Sequence, residues 1–168
     1  MSKTRAVRDP GRSGAAAPLS VILDALLLAS AVIFIIVGVL HFYTVRGTGM
    51  TPSISDHGIV ITSGLPYTLR EPARGDVVSA GGHVLRVIGL PGETITISGG
   101  RVYIDSYLAE EPYLETPGST YPYRDMDTFF LEQDEYFLLC DDRSCYDDSR
   151  SGRIYRREEI TSKAVFTF

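Results

Sequence analysis

Few side chains in this 168-residue chain could act as nucleophile or base, and their spacing limits the chemistry. Two cysteines, Cys140 and Cys145, enclose Asp141, Asp142, Arg143 and Ser144 in a short loop. A disulfide could close that loop if the Cβ atoms lie close enough. A nucleophilic role for Cys140 would need a base that the sequence does not supply, and two cysteines without suitably spaced histidines make a poor zinc signature. No metal or other cofactor is therefore expected. Thr48 and Thr51 carry hydroxyls on either side of Gly49, and His83 lies well downstream. A Thr48/His83 pair is a conceivable hydrolytic arrangement, with the threonine as nucleophile and the imidazole as base. His57, between Asp56 and Gly58, reads as a turn residue. The two lysines are Lys3 and Lys163.

Three blocks belong together. The first is Val45-Arg46-Gly47-Thr48-Gly49-Met50-Thr51-Pro52-Ser53, directly after an apolar run. The second is Leu85-Arg86-Val87-Ile88-Gly89-Leu90-Pro91-Gly92-Glu93, with Arg74-Gly75-Asp76 shortly before it. The third is Cys140-Asp141-Asp142-Arg143-Ser144-Cys145-Tyr146-Asp147-Asp148-Ser149-Arg150. Together they resemble the motifs of type I signal peptidases, in the Gram-positive form, and the resemblance runs from the apolar run through Phe168.

That family cuts with a Ser-Lys dyad, in which a desolvated lysine of lowered pKa takes the serine proton. The resemblance puts Gly49 where the serine belongs, Leu85 where the lysine belongs and Tyr146 where a serine helps to orient the lysine. Neither Lys3 nor Lys163 matches the family position. The residues read as framework persist: Asp141, Arg143, Asp148, Ser149 and Arg150. The departures fall on the chemistry and spare the scaffold. The resemblance thus implies a catalytically silent member whose loop at Gly47, Thr48, Gly49, Met50 and Pro52 binds an extended peptide or secreted precursor without cutting it. A groove and a strand edge suffice for such recognition. Similar silent members act in the assembly of sortase-linked pili, so a pilin or sortase substrate is the expected client. An active signal peptidase with displaced catalytic groups is the alternative.

The elements that must position these blocks are legible. Residues 25–40 are uncharged and, with their flanks, give an apolar run of about 25 residues, where a helical span needs ~20. A transmembrane helix is expected over 18–45, after a cytoplasmic tail at 1–17 and before an extracytoplasmic domain at 46–168. Lys3, Arg5, Arg8 and Arg12, against Asp9 alone in the tail, put the N-terminus inside. Beyond the run the chain is mainly β. Strands are expected at 58–63, 76–80, 83–89, 94–98, 101–105, 135–140 and 163–168, from β-branched and aromatic content. Gly99-Gly100 marks a two-residue hairpin. The stretch 108–133 reads as an exposed connection, or as a partner-docking loop presenting Tyr113, Tyr121 and Tyr123. The fold expected is an antiparallel signal-peptidase-type β domain with one N-terminal helix.

From Arg46 onward there are 12 basic and 19 acidic residues. Such a surface does not suit nucleic acid or anionic head groups.

Overall fold

The structure, a computed structural model, describes residues 19–44, 48–64, 67, 70–120 and 127–167; residues 35–44, 127, 166 and 167 are described by their backbone alone. Gly47, Tyr121, Tyr123 and the tail at 1–17 lie outside the described residues. The chain divides into two units, Met1–Ile36 and Val37–Phe168.

The first unit holds most of α1 (Leu19–Val39), which carries exposed apolar side chains from Leu19 to Phe34. Among the described residues no helix is long and apolar enough to cross a membrane.

The helix does not run to residue 45. It stops at Val39, and β1 (Leu40–Thr44) pairs antiparallel with β2 (Ile59–Ser63), Phe42 lying opposite Ile61. His41, Phe42, Tyr43 and Thr44 are aromatic or β-branched types that suit a pleated surface better than a helix. Hydrophobicity alone had merged them with the helix.

The second unit contains two antiparallel sheets. The larger has strand order β1-β2-β11-β3-β4-β9-β10, with β3 at Val77–Ala80, β4 at His83–Gly89, β9 at Glu135–Leu139, β10 at Tyr155–Arg156 and β11 at Ile160–Thr167. The smaller runs β7-β6-β5-β8, with β5 at Thr94–Ser98, β6 at Arg101–Ile104, β7 at Tyr107–Leu108 and β8 at Asp127–Phe130. The fold is mainly antiparallel β, and each strand read from the sequence is present, with ends shifted by up to three residues. The sequence reading had not separated β1, β7, β8 and β10.

Alternation sorts the core. In β9, Tyr136 and Leu138 enter one buried cluster with Val78, Leu85, Val87 and Ile160, whereas Phe137 and Leu139 enter a second with Ile95, Ile97, Val102 and Leu131. Both faces of β9 are therefore buried, which is why its sequence is a nearly continuous apolar run rather than an alternating one. In β4 the register shifts between Val87 and Gly89. Alternation along β4 puts Ile88 in the second cluster while Leu85 and Val87 serve the first.

Between β5 and β6, Ser98 lies opposite Arg101, so Gly99 and Gly100 form the whole turn, both with positive φ (57° and 77°). A Cβ on Gly100 would sit 2.0 Å from the Gly118 carbonyl oxygen, so glycine is needed there for space as well as for conformation.

Candidate functional site

The loop at Thr48, Gly49 and Met50 is fixed from both ends. Thr51 N–H donates to the Thr48 carbonyl (2.8 Å) and Ile54 N–H to the Met50 carbonyl (2.8 Å). Met50 is buried with Ile54 and Val60 in a third apolar cluster. Burial of a methionine contributes about 1.5–3 kcal/mol, enough to hold the loop against the sheet. Across from it, Asp142 N–H donates to the Gly49 carbonyl (3.0 Å), and the Thr48 hydroxyl donates to Asp142 Oδ2 (3.2 Å). The loops at 48–50 and 140–145 are thereby tied together.

Beside them opens a cleft of about 420 Å³ bordered by Thr48, Gly49 and Met50, by Gly82, His83, Val84 and Leu85, and by Cys140, Cys145 and Asp147. The fold thus brings residues from all three sequence blocks to one place. Pro52 is exposed and Tyr146 borders an adjacent hollow, and neither lines this cleft.

Leu85 is 1% exposed and packs in the first apolar cluster with Cys140. A leucine there removes the desolvation cost that an ammonium would carry. Lys163 is no substitute: its Nζ pairs with Asp76 Oδ1, while the Tyr67 hydroxyl donates to Asp76 Oδ2 (2.9 Å). Burial alone would raise the Asp76 pKa, but the Lys163 ammonium, the Ala73 N–H and the Tyr67 hydroxyl together hold it below its ordinary 3.8. Thr48 and His83 share the cleft, yet their contacts go elsewhere. His83 Nδ1 lies 3.3 Å from Asp147 Oδ2, and Thr48 donates to Asp142.

Cys140 and Cys145 are free thiols, Cys140 buried and Cys145 half-buried. The Cys140 thiol donates to Cys145 Sγ at 2.8 Å, so the two sulfurs considered as a pair from the sequence face each other directly. Burial foremost, and then the contact with Cys145, push the Cys140 pKa well up. A Cβ on Gly49 would lie 3.5 Å from each sulfur, so the two thiols fill the space in front of the missing side chain.

The framework residues are buried, and apart from Arg143 Nε and Nη1 their polar side-chain atoms are bonded. Arg150 Nε bonds to Asp148 Oδ1 (3.0 Å), its Nη2 to Asp148 Oδ2 (2.8 Å) and to the Cys145 carbonyl, and its Nη1 to the Arg143 carbonyl (2.8 Å). Asp148 Oδ2 also accepts from Cys140 N–H (3.1 Å), and the Ser149 hydroxyl accepts from Leu138 N–H (3.0 Å). The loop from 140 to 150 is therefore laced to the end of β9. Tyr146 packs its ring under the Arg150 guanidinium, 4.4 Å from carbon to centroid.

Sequence reading missed the hub of this frame. Arg86 donates through Nε and Nη2 to both Asp141 oxygens (2.7 and 2.5 Å), through Nη1 to the Gly75 carbonyl (2.9 Å) and through Nη2 to Ser53 Oγ (3.0 Å). One guanidinium so connects all the motif blocks. The available signal was its place next to Leu85, where alternation turns it to the other face. The guanidinium also lies over the Tyr113 ring at 4.2 Å, and the Tyr113 hydroxyl donates to Glu111, which pairs with buried Arg143 at 2.5 Å. Tyr113 is therefore a half-buried part of the frame and not a projecting contact residue. Of the stretch 108–133, the part ending at Thr120 (fully buried) is more than an exposed connection, and 127–130 is strand β8.

Comparison with known proteins identifies the family. The family model described as signal peptidase, peptidase S26, matches residues 19–168. The chain is 28% identical over 138 residues to signal peptidase I S of Bacillus subtilis, covering 75% of each chain. It is 26% identical over 158 residues to signal peptidase IB of Staphylococcus aureus, covering 82% of this chain and 83% of the relative. A probable signal peptidase I-2 of Synechocystis matches at 26% over 136 residues, and the match spans 61% of that relative. A crystal structure of a signal peptidase I from Enterococcus faecalis superposes with a TM-score of 0.48 at 23% identity, covering 57% of this chain and 98% of the other. With the family model matching nearly the whole chain, this protein belongs to the signal peptidase S26 family.

Proposed function

We propose that this protein is a membrane-anchored, catalytically silent signal peptidase homologue that holds an extended segment of a secreted precursor in the Gly49/Leu85 cleft. The observation that carries the reading is Leu85. At the position of the general base stands a buried leucine inside an apolar cluster, while the cleft beside it stays open at about 420 Å³. Hydrolysis by the family's route needs a hydroxyl and an amine within hydrogen-bond reach. Gly49 has no side chain and Lys163 is engaged by Asp76. Recognition needs only the groove, in which the Gly49 N–H is the donor that a bound peptide carbonyl would meet.

An anchor accords with α1, which carries exposed apolar side chains from Leu19 to Phe34 with Asp24 as the one charge among them. The domain after it lies outside the cell, and the client is a surface precursor such as a pilin or another sortase substrate, in whose assembly the protein assists. A protease added to intact cells removes a C-terminal tag; a protected tag would reverse the topology.

The central test is purified full-length protein incubated with a fluorescent signal-peptide substrate, beside the double variant Gly49→Ser, Leu85→Lys. The unaltered chain binds and leaves the peptide intact, and cleavage by it would overturn the reading. Gain of cleavage in the double variant reports a groove still shaped for a signal peptide.

One observation favours hydrolysis with displaced groups: His83, paired with Asp147, shares the cleft with Thr48. That reading requires cleavage of the peptide that disappears in both Thr48→Ala and His83→Ala.

A further inference from the structure

The cleft contains one reactive pair that peptide binding does not use. Cys140 closes the buried run of β9 and has its N–H held by Asp148, while Cys145 has its N–H on the Asp142 carbonyl (3.0 Å) and its own carbonyl under Arg150. Both backbones are thus pinned with the sulfurs 2.8 Å apart and facing each other. A disulfide needs about 2.05 Å between sulfurs, a closure within reach of small side-chain rotations. The two thiols are also unequal. Cys140 is 3% exposed, whereas Cys145 is half-buried, and both border the open cleft.

We propose that Cys145 and Cys140 form a thiol–disulfide exchange site whose substrate is an external disulfide, with Cys145 as the attacking thiol and Cys140 as the resolving one. Cys145, as its thiolate, attacks one sulfur of the incoming disulfide, forming a mixed disulfide and releasing one thiolate that takes up a proton. Cys140 then gives up its proton and attacks the Cys145 sulfur, forming the Cys140/Cys145 bridge and releasing the second thiol. The protein pair loses two electrons and two protons, and the external disulfide gains them. The bridge forms in front of Gly49, against the wall of the cleft. Any effect on a bound peptide rests on the peptide-binding reading above; the exchange itself does not.

Two disulfide sources share this chemistry: a low-molecular-weight disulfide and the oxidised dithiol of a thioredoxin-fold protein. The test uses reduced full-length protein in detergent, incubated in parallel with oxidised glutathione and with an oxidised thioredoxin-fold oxidoreductase, then alkylated and weighed intact. The unaltered chain loses both alkylatable thiols in at least one arm, retains no adduct, and yields the linked Cys140/Cys145 peptide on non-reducing digestion. The arm that reacts identifies the source. Cys140→Ser accumulates a stable adduct on Cys145 at least tenfold faster than Cys145→Ser does on Cys140. Retention of both thiols by the unaltered chain in both arms would overturn the proposal, as would equal adduct formation by the two variants. The measurement on the unaltered chain stands even if a variant does not fold. Peptide affinity is then compared between reduced and bridged protein: absence of binding in both states counts against the peptide-binding reading alone.

Discussion

Leu85 and Arg86 are adjacent in β4 and belong to different worlds. Leu85 faces an apolar cluster and an open cleft, which the proposed function reads as a peptide groove. Arg86 faces a polar frame in which its guanidinium bonds to Asp141, Gly75 and Ser53. The frame keeps the positions of the loops, and its bonds are mutually dependent, so change there is costly. The cleft wall at Leu85 needs only apolar fill, so a volume-conserving change there is cheap.

The sharpest way to break the comparison is to damage the frame. Arg150→Ala leaves the Asp148 carboxylate buried without its partner and lowers stability by about 3–5 kcal/mol, read from the urea midpoint. The same scale of loss from a conservative change in the cleft, such as Leu85→Met, would erase the distinction; that change costs less than ~1.5 kcal/mol.

Leu85→Lys tests the cleft wall from the other side. The new amine has its folded-state pKa depressed by burial, so the unfolded chain binds more protons between that value and the ordinary ~10.4. The variant is therefore less stable by roughly 2–4 kcal/mol below the folded pKa, and the deficit disappears as pH rises toward 10. Denaturation at pH 7 and pH 10 reads the difference.

Asp76 gives an acid-side counterpart. Its folded pKa lies below 3.8, so its contribution is complete above that value and is lost as pH falls through the folded pKa. Asp76→Asn costs roughly 1.5–3 kcal/mol at neutral pH and flattens the acid limb of the stability curve below pH 3.8. The smallest effect is expected at the cleft rim, where Thr48→Val loses the bond to Asp142 and about 0.5–1 kcal/mol, measured by thermal unfolding.

The strands were legible because β-branched runs and the Gly99-Gly100 turn are local signals. The start of β1 was not, since Leu40 continues an apolar run and only pairing with β2 separates strand from helix there. The sequence marked Gly49, Leu85 and Tyr146 together, as departures expected from the resemblance. Their separation was not legible: Gly49 and Leu85 share one cleft, whereas Tyr146 turns away to Arg150. The roles of Arg86 and Tyr113 rest on partners dozens of residues away, which no spacing announces. The pairing of Cys140 with Cys145 was suggested by their short loop, but the separation of the thiols depends on how Asp148 and Arg150 hold it.

The double burial of β9 has a kinetic consequence. Because Phe137 and Leu139 serve one sheet's core while Tyr136 and Leu138 serve the other, neither core can open while the strand stays in place. The amide hydrogens of these four residues should exchange with solvent only when the whole β domain unfolds, making β9 the element that fuses two sheets into one cooperative unit.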